Sequence, residues 1–155
     1  MRTMIWATLG LVGCQPLDGP SLQACTEIGC TDGYFVAFDP PLSGNGAWVI
    51  QVTDQDGEVA TCSFHIPFNE DPTDGCDNPD MLSATISGTQ LDPVDQELPD
   101  VFSPSVPETW AMVVTLDGVE VAAADLAPVA EVQMPNGEDC PPVCEFADDV
   151  VAVSL

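Results

Sequence analysis

Trp110-Ala-Met-Val-Val-Thr-Leu-Asp-Gly-Val-Glu-Val-Ala-Ala-Ala124 decides the fold class. Two apolar runs flank Asp117-Gly118, a pair suited to a two-residue turn in which both central residues take positive φ. Such a turn pairs Leu116 with Val119, Val114 with Val121 and Met112 with Ala123 on one apolar face, and sets Thr115 opposite Glu120 on the other. A second hairpin surrounds Asp54-Gln55-Asp56-Gly57, and here the pattern chooses the loop length. A two-residue turn would pair Ile50 with Ser63 and send the apolar residues of the two strands to opposite faces. A three-residue loop of Gln55, Asp56 and Gly57, with Gly57 left-handed, instead pairs Val52 with Ala60, Ile50 with Cys62 and Trp48 with Phe64. That register is the one expected, with Trp48 and Cys62 inside.

Outward from these hairpins, further strands are predicted at Tyr34 to Phe38, Leu82 to Gly88 and Val129 to Met134, with a last strand ending Val151, Val153, Leu155. Turn residues separate them, and no convincing helical period intervenes. The stretch Leu91 to Pro107 holds Pro93, Pro99, Pro104 and Pro107 and is expected to be a surface connection, because proline interrupts a ladder. The fold class expected is all-β: a single antiparallel β-sandwich, Ig-like, of about 7–8 strands and stapled by disulfides.

Composition bounds the rest. The chain has 155 residues, 26 Asp plus Glu against 1 Lys plus Arg, and a formal charge of -25. Its length is that of one domain, and an apolar content of 45% sets it apart from disordered acidic tails. One basic residue gives no footprint for phosphates, which excludes direct nucleic-acid binding. Packing so many carboxylates together raises their mutual repulsion, which counter-ions must relieve. Stability is therefore expected to rise with NaCl or millimolar divalent cations, and a melting temperature unchanged between about 0.01 and 1 M NaCl would contradict that.

Residues 1–13 carry Arg2 and then run uncharged to Gly13. The run is too short to cross a bilayer and has the form of a secretory signal. Leu11-Val12-Gly13-Cys14 resembles the lipobox of bacterial lipoproteins. That resemblance implies cleavage after Gly13 and lipidation of Cys14, with a diacylglyceryl group on the thiol and a further acyl chain on the new amino group, enough to anchor stably. It also implies a division into signal peptide 1–13, lipidated leader 14–24 and β-sandwich domain 25–155. Removing 13 of 155 residues leaves 142 with no Lys or Arg.

Setting Cys14 aside from seven cysteines leaves six, the even number expected in an oxidising compartment. These are Cys25, Cys30, Cys62, Cys76, Cys140 and Cys144. Their spacing is unlike that of zinc sites, which favour two-residue gaps and often histidine. Cys62 with Cys76 closes a short loop. The terminal four could pair locally or join the chain's ends. Because first and last strands of such sandwiches often lie side by side, bridging across the ends, with Cys30 near Cys144, is favoured.

Catalytic chemistry finds little support. His65 alternates with Ser63 and Thr61, in the phase opposite Cys62, Phe64 and Ile66, so it is expected to face solvent, and no G-x-S-x-G elbow accompanies it. With 26 acids, a carboxylate pair of the glycosidase kind is satisfied by any arrangement and so singles nothing out. Glu70, Asp71, Asp74, Asp77 and Asp80 crowd one loop with Gly75, and hard oxygens at that density suit Ca²⁺, though the EF-hand spacing is absent. The phases of Trp48 and Trp110 place both in the core rather than on a sugar platform.

Taken together, the lipobox at Cys14, the Cys25-Thr-Glu-Ile-Gly-Cys-Thr-Asp-Gly33 stretch and the Pro135-Asn-Gly-Glu-Asp-Cys-Pro-Pro-Val-Cys144 stretch resemble small cysteine-framed lipoproteins of myxobacteria and their relatives. The resemblance implies a protein lipid-anchored in the cell envelope, with Gln15 after the cysteine matching the outer-membrane sorting pattern, on the periplasmic or the surface face. The expected role is a non-catalytic binding or structural module without a cofactor. A Ca²⁺-binding surface protein using the acidic loop 69–80 is the alternative, and an acid-pair hydrolase comes third.

Overall fold

Gly57 takes φ 81° in the loop that the hydrophobic pattern requires, and the hairpin register follows: Trp48 faces Phe64, Ile50 faces Cys62 and Val52 faces Ala60. Asp54 shapes this loop, its Oδ1 accepting the N–H groups of Asp56 and Glu58, both at 2.9 Å. The computed structural model describes residues 29–68, 74–89, 92–138 and 140–154. Among these every regular element is a strand: β1 Gly33–Ser43, β2 Gly46–Asp54, β3 Val59–Ile66, β4 Gly75–Cys76, β5 Ser83–Ala84, β6 Ser87–Thr89, β7 Asp92–Ser103, β8 Trp110–Leu116, β9 Val119–Leu126, β10 Glu131–Gln133 and β11 Cys144–Ala152. The described chain is thus all-β, with eleven strands, four of them of only two or three residues, where seven or eight were expected.

The strands form two sheets, one ordered β10-β11-β1-β7-β5 with β6 also on β7, the other β4-β3-β2-β8-β9. Alternation along β1, β2, β3 and β8 sends Tyr34, Val36, Trp48, Ile50, Val52, Cys62, Phe64, Met112 and Val114 into one hydrophobic cluster shared by both sheets. Trp48 and Trp110 are both buried there, and burying a large side chain of this kind contributes about 1.5–3 kcal/mol. Trp110 stands edge-on to Tyr34 with ring centroids 5.2 Å apart, and Trp48 donates its indole N–H to the Gly44 carbonyl at 3.2 Å. The first and last strands lie side by side, but β1 and β11 run parallel, so the expected all-antiparallel arrangement fails at that one pairing.

Two further expectations are corrected. In the β8–β9 hairpin, Asp117 (φ 51°) and Gly118 (φ 79°) make the positive-φ turn, and Leu116 faces Val119. Beyond Thr115 and Glu120 the register shifts, so that Val114 faces Ala122 and Met112 faces Ala124 rather than Val121 and Ala123. The extra residue lets Ala122 turn inward, 7% exposed, while the Val121 carbonyl accepts Ser154 N–H at 3.0 Å from the chain's far end.

The proline-rich stretch is likewise not a connection. Asp92–Ser103 forms β7, paired with β1 on one side and with β5 and β6 on the other. Pro99 is accommodated because the β1–β7 ladder is interrupted between Ala37 and Leu42, where β1 itself carries Pro40 and Pro41. Residues that cannot donate thus meet at one irregularity. Pro104 and Pro107 fall beyond the strand.

Candidate functional site

β4 and β5 are the edges of the two sheets on one side of the core, and between them lies a cleft of about 590 Å³. Its apolar walls come from Phe64, Phe68, Ile86 and the Cys62–Cys76 disulfide, and Asp74 and Gln96 supply polar groups. β4 is held on β3 because Cys62 pairs with Cys76 and Ser63 with Gly75. Asp77 extends that ladder, donating its N–H to the Thr61 carbonyl at 3.0 Å and accepting Thr61 N–H on Oδ1 at 2.8 Å. On the opposite wall, Gln96 is 3% exposed, and its Oε1 accepts Phe68 N–H at 2.6 Å.

His65 lies on the outer phase of β3, as its alternation implies, with a side chain 43% exposed. Its Nδ1 is 2.9 Å from Asp74 Oδ1, and the Asp74 side chain is only 4% exposed. The His65 backbone N–H approaches Asp74 Oδ2 at 3.4 Å. Asp74 is the single acid among the described residues lining the cleft.

Of the acids grouped in the sequence for Ca²⁺, the three described have separate positions. Asp74 turns to His65 and the cleft, Asp77 to the edge of β3, and Asp80 is exposed in the turn before the buried Leu82. Glu70 and Asp71 lie outside the described residues. Among those described, no group of three or more His, Cys, Asp or Glu side chains is placed to hold a metal ion.

Of the cysteines, Cys62 bonds Cys76 and Cys30 bonds Cys144. Cys140 is also disulfide-bonded. Cys14 and Cys25, with the stretches 1–13 and 14–24 expected to be signal peptide and leader, lie outside the described residues. Near the Cys30–Cys144 bond, Glu145 N–H donates to Asp32 Oδ1 at 2.7 Å. The Tyr34 hydroxyl donates to Asp149 Oδ2 at 2.7 Å. Burial first, and then the Asp149 carboxylate, raise the Tyr34 hydroxyl well above the usual tyrosine range.

Sequence reasoning missed the cleft, because its walls come from segments about thirty residues apart. The one available signal was the outward phase of His65 nine residues before an acid. Comparison with protein families, curated proteins and solved structures returns no match.

Proposed function

We propose that this chain is a lipid-anchored protein of the cell envelope, an Ig-like β-sandwich that acts as a non-catalytic binding module. The observation that carries the binding role is the cleft of about 590 Å³ between the sheet edges, since small-molecule sites are concave, mostly apolar, and fitted with a few polar groups. One lining carboxylate among the described residues suits recognition better than acid-pair hydrolysis, which uses two. The sandwich reading is supported by two sheets sharing one cluster and by neighbouring first and last strands. Bonds from Cys30 to Cys144 and from Cys62 to Cys76 support an extracytoplasmic location, because such cross-links persist in oxidising compartments.

Membrane fractionation with intact-mass analysis tests the location. The expected product begins at Cys14, carries acyl chains, and has lost six hydrogens to three disulfides. A soluble product that retains residues 1–13 and has free thiols would contradict it.

A further inference from the structure

We propose that the cleft beside β4 binds an organic cation, an amine with an apolar tail whose ammonium meets Asp74. This deepens the binding-module reading and rests on it. Three observations converge. The volume of about 590 Å³ lies in the range of small-molecule sites, roughly 300–1,000 Å³, and Phe64, Phe68, Ile86 and the Cys62–Cys76 bond supply apolar wall.

Asp74 is the second. Its side chain is 4% exposed, yet its carboxylate accepts one short hydrogen bond, from His65 Nδ1 at 2.9 Å, and one long contact, from His65 N at 3.4 Å. A carboxylate offers about four lone-pair positions, so Asp74 Oδ2 keeps acceptor capacity in a nearly dry wall. An ammonium hydrogen bonded there would be charge-assisted and stronger than a neutral donor.

The third is charge. With 26 acids against 1 Lys plus Arg, the surface repels anions, and low-dielectric clefts focus the field for cations. Among the described lining residues Asp74 is the one carboxylate, short of the several oxygens a bare divalent ion requires, and an ammonium needs only one such partner beside apolar surface.

The test is titration calorimetry of the purified full chain with 4-phenylbutylammonium, 4-phenylbutanol and 4-phenylbutyrate, which share a skeleton and differ in charge. The ammonium is expected to bind at one site at least about tenfold tighter than the alcohol, a difference of about 1.4 kcal/mol, and the carboxylate to bind weakest. The preference should shrink as the Debye length falls from about 30 Å at 0.01 M salt to about 3 Å at 1 M. Asp74→Asn, which keeps an oxygen for His65, should bring the ammonium down to the affinity of the alcohol, and Ile86→Trp should fill the cleft and remove both.

Equal affinity for alcohol and ammonium would overturn the cation assignment and leave the binding module standing. Binding of none of the three probes, or binding unchanged by Ile86→Trp, would overturn both the assignment and the role given to the cleft. The three-probe comparison on the unaltered protein decides the matter even if a variant fails to fold.

Discussion

The seam between β1 and β11 and the rim made by β3 and β4 are built from the same parts at very different reach. Each has a disulfide and carboxylates that take N–H or O–H donors. At the seam the links span 114 residues for Cys30–Cys144, 113 for Asp32 with Glu145 N–H, and 115 for Tyr34 with Asp149. At the rim they span 14 for Cys62–Cys76, 16 for Thr61 N–H with Asp77, and 9 for His65 with Asp74. A chain with almost no cations cannot neutralise its acids by Lys or Arg pairs, so backbone amides and a buried hydroxyl take that place. The seam thereby closes the fold over its whole length. The rim closes only itself and leaves one side of the core open as a cleft.

The difference predicts a ranking of effects. The seam is tested by replacing Cys30 and Cys144 with Ser, which leaves the separate bond of Cys140 in place. Releasing a loop of 114 residues should cost nearly 5 kcal/mol in the chain-entropy treatment, a large part of a total stability of about 5–15 kcal/mol. Urea unfolding should show this as a large fall in midpoint. Cys62→Ala with Cys76→Ala opens a loop of 14 and should cost about 3 kcal/mol in the same measurement. If the rim variant proves the more damaging, the contrast between seam and rim is wrong.

Tyr34→Phe should cost less, about 1.5–3 kcal/mol, the worth of a hydrogen bond to a charged group. The sign of its pH dependence follows from the raised pKa. Below the ordinary value of 10.0 the hydroxyl is neutral in folded and unfolded chains alike, and its contribution is present in full. As pH rises past that value the unfolded chain ionises first, so the contribution falls away on the alkaline side. Tyr34 is the sole tyrosine, so tyrosinate absorbance reports it alone. That absorbance should stay flat through pH 10 and rise only with unfolding, whereas titration near pH 10 in the folded protein would count against the Asp149 bond. Smallest of all, Gly57→Ala should cost about 1–2 kcal/mol for the left-handed φ, since a methyl there meets no atom within 4 Å. A neutral outcome in thermal melting would show that the loop adopts another turn.

The β2–β3 hairpin was legible because each slip of register sends its apolar set to the wrong face, and Gly57 marked the one loop that avoids this. The β8–β9 hairpin was legible only near its turn. From Val121 to Ala124 every residue is apolar, so no alternation reveals an extra residue. β7 was hidden by its prolines, because their tolerance depends on Pro40 and Pro41 arriving opposite Pro99, about sixty residues away in the chain. The cleft was hidden for the same kind of reason: Asp74 reads as one acid among five until β4 folds back on β3 and sets it against His65.

The fold's closure is tested most directly by mapping disulfides in the unreduced protein with glutamyl endopeptidase, since beyond Arg2 no Lys or Arg offers trypsin a site. Cleavage at Glu27, Glu58, Glu70, Glu97, Glu138 and Glu145 places Cys30 on peptide 28–58, Cys62 on 59–70, Cys76 on 71–97, and Cys140 with Cys144 on 139–145. The structure predicts 28–58 linked to 139–145, and 59–70 linked to 71–97. Recovery of 139–145 closed on itself by a Cys140–Cys144 bond, with Cys30 bonded elsewhere or free, would contradict it.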